Sequence, residues 1–248
     1  MYTPAEDLSS CRILLCNDDG VNAPGLAELE DIARGLSDDI WVVAPSNEQS
    51  GAGHSLTLHR PLRPTQLDDK RYMIDGTPTD CVMVAVQHIM ADNPPDLVLS
   101  GINMGENLGE DVHYSGTIAA ALEATLQGVP AIALSQVMDE KASWDVVQHY
   151  AKDLIRTVCK AGWSAGTLIN INFPNCNAKD VKGIKLTRQG KHKIGDDLVI
   201  REDPRGRPYI WIGAPRIRDT QTEGTDLRVV AERYIAVTPL SVDLTDYG

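Results

Sequence analysis

The sequence predicts an α/β fold with a mainly parallel sheet, and three observations favour it. Short apolar runs alternate with amphipathic helical patterns through the first two-thirds of the chain. Several runs, such as RILLC at 12–16, are almost continuously apolar, as expected of strands that helices cover on both faces. Hydrophobic residues make up 42% of the 248 residues but include a single Phe, so the core must be largely aliphatic.

Helices and strands follow one another in a regular order. The segment PGLAELEDIARGL predicts a helix, because Pro24 suits a first turn and apolar residues recur at helical spacing from Leu26 to Leu36. The segment TPTDCVMVAVQHIMAD (77–92) predicts a second helix, which Thr77 or Thr79 would cap. The other predicted elements are the strands IWVVAP (40–45), DLVLSG (96–101), PAIALS (130–135), TLININ (167–172) and RYIAVTPLSVDL (233–244), and the helices GTIAAALEATLQG (116–128) and SWDVVQHYAKDLIRTVCKAG (143–162).

Two regions interrupt this alternation. Residues 55–76 suggest a β excursion. Later in the chain the tetrapeptide DPRG at 203–206 fits a type I turn, and the apolar residues at 209–212 alternate between two faces, which predicts a hairpin. An isolated two-stranded hairpin is marginal in water, so we expect it to pack on another subunit. The sequence therefore predicts one domain, 1–248, with a hairpin extension for oligomerisation at about 189–227.

Charge and composition argue against several classes of function. The formal net charge of −12 argues against a general binder of DNA, RNA or anionic membranes. The sequence has no apolar run long enough to span a bilayer, and the segment MYTPAEDLSS does not resemble a signal peptide. The five cysteines are scattered without a CxxC spacing, so we expect reduced thiols and a cytoplasmic location.

Polar loops follow three of the predicted strands. Ligands bind beyond the carboxyl ends of parallel strands, so we expect these loops to open on one rim of the sheet. Their carboxylate, amide and hydroxyl oxygens suit Mg²⁺ or Mn²⁺, and a cation would stabilise the adjacent carboxylates of Asp18 and Asp19. The alternative is a solvated turn, capped by Asn17 and Gly20. The three loops are NDDG (17–20), SNEQSGAG (46–53) and GINMGENLG (101–109).

A helix start further along the chain suggests a phosphate site. Ser115, Gly116 and Thr117 come just before the strong helical segment IAAALEA, and the free N–H groups of a helix N-terminus attract anions. Gly116 would let a phosphate approach the backbone, while the Ser115 and Thr117 hydroxyls donate to it. The alternative is that Ser115 is only an N-cap. The sequence has no GxSxG elbow, Walker A motif or GxGxxG fingerprint, so serine-hydrolase and nicotinamide-dependent chemistry have little support.

Five segments form a recognisable set in order along the chain: ILLCNDDGVNAPGL, VVAPSNEQSGAGHSLTL, GTPTDCV, SGINMGENLGEDVHYSGTIAAALEA and TPLSVDLT. Together they resemble the SurE survival-protein family. The resemblance implies a metal-dependent phosphatase acting on nucleoside monophosphates, a 5′/3′-nucleotidase, and some members also hydrolyse short polyphosphate. It also implies a Rossmann-like three-layer α/β/α sandwich with a protruding β-rich part, assembled as a homodimer or homotetramer.

The resemblance also implies roles for particular residues of this chain. It implies one divalent metal ion per subunit, Mg²⁺ or Mn²⁺. Asp18 and Asp19 would be catalytic as well, because either could orient or deprotonate the attacking water. The implied metal ligands are Asp18, Asp19, Ser50 and Asn103, and the implied phosphate-binding residues are Gly51, Asn107, Ser115, Gly116 and Thr117.

The sequence departs from the family pattern at some positions, and two other interpretations stay open. Glu48 stands where a basic or neutral residue is usual, and His113 replaces a residue that is commonly aliphatic. One alternative is a non-catalytic nucleotide sensor that uses the same rim of metal and phosphate ligands. The other is a structural α/β subunit, which would bind no metal.

Overall fold

The computed structural model describes residues 7–138, 143–192, 198–212 and 219–246, and over these residues the fold is built on a nine-stranded sheet and a separate two-stranded sheet. The strands are β1 (Arg12–Cys16), β2 (Asp39–Pro45), β3 (Pro64–Asp68), β4 (Arg71–Ile74), β5 (Leu97–Met104), β6 (Ala131–Gln136), β7 (Thr167–Phe173), β8 (Ile184–Leu186), β9 (Leu198–Glu202), β10 (Pro208–Ile212) and β11 (Ile235–Ser241).

The large sheet is mainly parallel, as predicted, and its strand order reverses beside β1. The order is β3-β4-β2-β1-β5-β6-β7-β11-β8. Strands β2, β3 and β4 follow β1 in the chain and lie on one side of it, and β5, β6 and β7 lie on the other side. The carboxyl ends of β1 and β5 therefore flank the switch point at which ligands bind in open α/β sheets. The antiparallel pairs in the described part of this sheet are β3 with β4 and β11 with β7.

Helices cover both faces of the sheet, which confirms the predicted three-layer sandwich. On β1, Ile13 and Leu15 pack in the cluster that contains α1 and α4, whereas Leu14 and Cys16 pack in the cluster that contains α2 and α3. This alternation of fully buried residues follows from the period of two along a strand. The helices are α1 (Pro24–Arg34), α2 (Pro78–Val84), α3 (Gly116–Leu126), α4 (Asp145–Ala161) and α5 (Asp226–Ala231).

One helical prediction differs from the structure, and one helix was not predicted. The helix predicted over 77–92 ends as an α-helix at Val84 and continues as a π-helical turn over Ala85–Ile89. Thr77 is its N-cap and forms a capping box with Asp80, which decides between the two candidate caps. The sequence interpretation missed α5, a six-residue helix that Thr225 caps.

The predicted hairpin is confirmed as β9 and β10. The Gly206 N–H donates to the Asp203 carbonyl at 2.9 Å, and Gly206 has a φ of 73°, so the turn relies on glycine at that position. Within the described strands, β9 and β10 pair only with each other. Side chains on both faces of β10 are exposed: Tyr209 is 42%, Ile210 59%, Trp211 66% and Ile212 72% accessible.

Two further observations concern the sequence predictions. All five cysteines are free, and four of them are buried. In the part of the chain that the structure describes, there is no helix with the length and apolar character needed to cross a bilayer.

Candidate functional site

The loops that follow β1, β2 and β5 meet around one cavity at the switch point. Its volume is about 710 Å³. Its wall therefore brings together all four candidate metal ligands and three of the five candidate phosphate residues. The wall residues that matter for the site are Asp18, Asp19, Glu48, Ser50, Gly51, Asn103, Met104, Glu106, Asn107, Asp111, Tyr114, Ser115 and His192.

The turn after β1 is capped, but it does not place both acids in solvent. The Asn17 side-chain amide donates to the Gly20 carbonyl at 3.0 Å, and the Gly20 N–H donates back to Asn17 Oδ1 at 3.2 Å. Asp18, between them, is only 4% exposed. A capped turn is therefore present as the alternative interpretation expected, but its first carboxylate is buried rather than solvated.

Asp18 is held by the start of α3. The Thr117 hydroxyl donates to Asp18 Oδ1 at 2.5 Å. Burial raises the pKa of the Asp18 carboxyl above its usual range, while the Thr117 hydroxyl and the backbone amides of Gly116 and Thr117 act to lower it. The N-terminus of α3 thus already faces an anion that belongs to the chain itself.

The surroundings of Asp19 destabilise its ionised form. Burial, the charge of Asp18 and, to a lesser extent, the charge of Glu48 raise the pKa of Asp19 to about 6, against a lowering contribution from the Met104 amide. Its Oδ2 atom is buried and has no hydrogen-bond partner in the structure. A buried carboxylate oxygen without a partner is an unfavourable arrangement unless a ligand fills that position.

Ser50 and Asn103 add neutral oxygens to the same cavity. The Ser50 hydroxyl donates to Glu48 at 3.0 Å. The Asn103 amide nitrogen donates to the Gly105 carbonyl at 3.0 Å, so the amide oxygen is the atom that a cation would take.

These donors fit a hard divalent cation. Two carboxylates, a hydroxyl and an amide supply only oxygen ligands, the kind that Mg²⁺ and Mn²⁺ prefer. Within the described ranges there is no cluster of three or more His, Cys, Asp or Glu side chains able to hold a metal. That result agrees with a site in which half of the ligands are uncharged, and the unpartnered Asp19 oxygen marks where positive charge is needed.

The helix start over 115–117 lies beside Asp18 at the cavity. Ser115 lines the cavity and its Oγ accepts the Ile118 N–H at 3.1 Å, so it is both an N-cap and a wall residue. Thr117 is fully buried with its hydroxyl directed to Asp18. A Cβ placed on Gly116 would lie 2.6 Å from the Asp18 Cβ. The geometry therefore gives Gly116 and Thr117 contacts with Asp18, and their contacts with a phosphate stay a prediction.

Asn107 is fixed by a buried amide network that the sequence interpretation missed. Its backbone N–H donates to Asn172 Oδ1 at 2.9 Å, and its side-chain nitrogen donates to the Ser135 hydroxyl at 2.8 Å. The side-chain amides of Asn170 and Asn172 both donate to the Asn107 carbonyl. Polar residues at 170 and 172 in the otherwise apolar strand TLININ were the available signal.

A His–Asp pair also went unrecognised in the sequence. His192 Nε2 lies 2.6 Å from Asp111 Oδ1, and the two residues are separated by 81 positions in the chain. His192 is 3% exposed, and both residues line the cavity. No local pattern relates them, so sequence reasoning found no partner for His192.

Comparison with known proteins agrees with this architecture. The family model described as survival protein SurE matches residues 13–196, which is most of the chain. The chain belongs to the SurE family. The match contains the loops after β1, β2 and β5, and it therefore includes every candidate site residue.

SurE-family relatives match along almost the whole chain. A protein of Rhodospirillum rubrum named 5′-nucleotidase SurE is 57% identical over 99% of this chain and 96% of its own length. A protein of Paramagnetospirillum magneticum with the same name is 56% identical over 98% of this chain and 95% of its own length. The crystal structure of the SurE protein from Aquifex aeolicus has a TM-score of 0.84 at 41% identity, covering 95% of both chains.

Proposed function

We propose that this SurE-family chain is a metal-dependent phosphomonoesterase that hydrolyses nucleoside monophosphates to nucleoside and phosphate. The names of the relatives support action on 5′-monophosphates. Action on 3′-monophosphates and on short polyphosphate rests on the sequence resemblance alone. The observation that carries the proposal is the Asp18–Asp19 pair in the wall of a cavity at the switch point, with Asp18 buried, Asp19 half-buried and Asp19 Oδ2 buried without a partner.

One divalent cation per subunit, Mg²⁺ or Mn²⁺, is the proposed cofactor. Asp18, Asp19, Ser50 and Asn103 would hold it, because they present oxygen donors on one cavity wall. When bound, such an ion offsets the charge of a phosphoryl group and lowers the pKa of a water molecule.

The carboxylates of Asp18 and Asp19 have a second role in this proposal. In the metal-free chain, burial and the neighbouring charge of Asp18 raise the pKa of Asp19 to about 6, so its carboxylate is a stronger base than an ordinary one. Either residue would orient the attacking water and accept its proton. The hydrogen bond from Thr117 fixes the direction in which Asp18 presents its second oxygen.

The phosphate group would bind in the same cavity. Gly51, Asn107 and Ser115 line it, and a Cβ on Gly51 would meet no atom within 4 Å, so its backbone is open to a ligand. Gly116 and Thr117 would act on the phosphate indirectly, by holding Asp18 in place. Hydrogen-bond donors fixed before the reaction stabilise the charge that develops on the phosphoryl oxygens.

Assembly and location complete the proposal. The exposed apolar side chains of β10 support a homodimer or homotetramer in which this hairpin packs on another subunit. The free cysteines are compatible with a cytoplasmic enzyme, which is the location we propose.

Phosphate release from a panel of nucleotides, with added Mn²⁺ and with excess EDTA, tests this function. The proposal expects release from nucleoside monophosphates that EDTA abolishes. A nucleotide sensor would bind the same ligands without release, and a structural subunit would neither bind metal nor turn over. Release that EDTA does not change would contradict the metal-dependent mechanism.

A further inference from the structure

Helix α3 makes a contact just after the loop 46–53, called the β2 loop below, that the proposed function does not use. His54 Nε2 lies 2.9 Å from Glu123 Oε2. Glu123 is 6% exposed, whereas the His54 side chain is 34% exposed. A buried carboxylate is unfavourable without a partner and only accepts hydrogen bonds, so the His54 ring N–H is the donor that stabilises it.

Glu123 offers His54 a fixed acceptor. It lies within α3, and its second oxygen, Oε1, accepts a hydrogen bond from Gln127 Nε2 at 2.8 Å at the end of the same helix. Both carboxylate oxygens therefore have partners, one within the helix and one beyond it. His54 is the partner that connects the helix to the end of the β2 loop.

Two backbone hydrogen bonds hold the β2 loop as well. The Gln49 N–H donates to the Asp18 carbonyl at 2.7 Å, and the Gly53 N–H donates to the Tyr114 carbonyl at 3.0 Å. His54 follows Gly53 directly, so its side chain fixes the loop at the same end as the second of these bonds. The conformation of the residues between Gln49 and Gly53 depends on these attachments.

Helix α3 thus contacts two parts of the proposed cation site. Near its start the Thr117 hydroxyl donates to Asp18 Oδ1 at 2.5 Å, and six positions later Glu123 accepts from His54. Ser50, the proposed hydroxyl ligand, is exposed in the β2 loop and lines the cavity. The positions of Asp18 and Ser50 relative to each other therefore depend on contacts with one helix.

We propose that His54 and Glu123 are positioning residues of the cation site, which hold the β2 loop so that Ser50 binds the same cation as Asp18 and Asp19. The inference rests on the proposed function. The pair is not among the described residues that line the cavity, so it acts through Ser50 and not by contact with the cation. Loss of the pair would let the loop move away from the carboxylates, and the affinity for the cation would fall.

Calorimetric titration with Mn²⁺, at a temperature at which every variant is folded, tests the inference. His54→Ala removes the ring N–H and should raise the Kd for Mn²⁺ about tenfold or more, since residues that orient a metal ligand typically contribute 10–100-fold. His54→Gln restores an N–H at similar reach and should recover most of the affinity. Gln127→Ala is the control, because it removes the other partner of Glu123 and leaves the loop contact in place. An unchanged Kd in His54→Ala would overturn the proposal.

A double-mutant cycle with Ser50→Ala separates positioning from a general loss of structure. If His54 acts through Ser50, the combined variant should lose less Mn²⁺ affinity than the two single losses together predict. Fully additive losses would show that His54 acts independently of Ser50, and would overturn the proposal.

His54→Ala combined with Glu123→Met provides a second route should His54→Ala fail to fold. It leaves no buried carboxylate unpaired, yet it still releases the loop, so it should show the same fall in affinity. Wild-type Mn²⁺ affinity in this double variant would contradict the positioning role.

Phosphate release by the wild type distinguishes this inference from the proposed function. A wild type that binds Mn²⁺ and hydrolyses nucleoside monophosphates, with unchanged affinity in His54→Ala, would overturn the positioning role alone. A wild type that neither binds Mn²⁺ nor releases phosphate would overturn the proposed function, and with it this inference.

Discussion

The switch-point cavity and the β9–β10 hairpin depart in opposite directions from the usual placement of polar and apolar groups. The cavity wall holds an adjacent carboxylate pair, with Asp18 only 4% exposed and Asp19 half-buried, and the buried Asp19 Oδ2 atom has no partner. The hairpin exposes apolar side chains, with Trp211 66% and Ile212 72% accessible. Each arrangement is unfavourable in an isolated chain, the first through desolvated charge and the second through hydrated apolar surface.

The difference teaches what each region needs from outside the chain. In the proposed function a small cation would supply positive charge to the carboxylates. Another subunit would supply apolar surface to the hairpin. The two regions belong to separate sheets, so disturbing one should leave the other intact, and the following predictions test that separation.

The largest effect is expected at Asp19. Asp19→Asn removes a charged ligand of the proposed cation and little packing. Substituting a residue that only orients a metal ligand typically costs 10–100-fold in metal affinity or activity, so we expect the loss of a ligand to reduce activity by more than about 10²-fold. The metal-free variant should be more stable than the metal-free wild type by about 1–3 kcal/mol, because the raised pKa of Asp19 reports a penalty for its ionised form. Initial rates with saturating Mn²⁺ and thermal unfolding measure the two quantities.

Asp31→Asn is the matched control. Asp31 lies exposed on α1, away from the cavity, and its substitution makes the same chemical change as Asp19→Asn. It should alter neither rate nor stability. Wild-type activity in Asp19→Asn would show that Asp19 is not a metal ligand or a catalytic residue.

The second effect concerns the support of Asp18 by α3. Thr117→Val keeps the shape of the side chain but removes the hydroxyl that donates to Asp18, so kcat/KM should fall by about 10–100-fold. The lost hydrogen bond to a buried carboxylate should cost about 1–3 kcal/mol of stability. Gly116→Ala should be at least as damaging to activity, because its Cβ would collide with Asp18.

Thr125→Val tests whether the loss is specific. Thr125 is also buried on α3, and its hydroxyl donates to the Ala121 carbonyl at 2.8 Å within the helix. It should lose some stability but keep its activity. Equal losses of activity in the two variants would show that α3 acts only as a packed helix.

The third effect concerns assembly. Ile210→Asp and Trp211→Asp place a charge on opposite faces of β10, and each should shift the protein to a smaller oligomer, as light scattering would measure. The activity per subunit should stay within a few-fold of wild type, because none of the described cavity-wall residues lies on β9 or β10. Leu58→Asp is the control, since Leu58 is 77% exposed outside the hairpin. A wild-type protein that is monomeric at micromolar concentration would contradict the role of the hairpin.

The smallest effect is expected at Glu48. This exposed acid lines a cavity wall that carries several carboxylates, so it should repel substrates with more negative charge than a monophosphate. Glu48→Gln should raise kcat/KM for short polyphosphate, relative to a nucleoside monophosphate, by about two- to fivefold at low salt. The gain should shrink as salt increases. An unchanged ratio would show that Glu48 does not select substrates.

Much of the fold was predictable because it depends on local pattern. The apolar runs that became β1, β2, β5, β6 and β7 were visible as strands, and the turn at 203–206 was visible from its residue types. The six-residue helix α5 was missed because it is too short to show a helical period. The helix predicted over 77–92 changes type at Ala85, which no residue there indicates.

The site was predictable only as a set of converging loops. That Asp18, Asp19, Ser50 and Asn103 share a wall follows from the parallel sheet. The partners of individual side chains depend on tertiary proximity: Thr117 reaches Asp18 across 99 positions in the chain. For the same reason the contacts of Gly116 and Thr117 with Asp18 were not predicted from the sequence.

The central claim is that the Asp18–Asp19 carboxylate pair binds a cation, and titration of Mn²⁺ while following thermal unfolding tests it most directly. The metal-free wild type should gain stability as Mn²⁺ is added, by about 2.7 kcal/mol at one hundred times the dissociation constant. Asp19→Asn should gain little over the same range, and Asp31→Asn should match the wild type. Stabilisation of equal size in Asp19→Asn, or none in the wild type, would contradict the account.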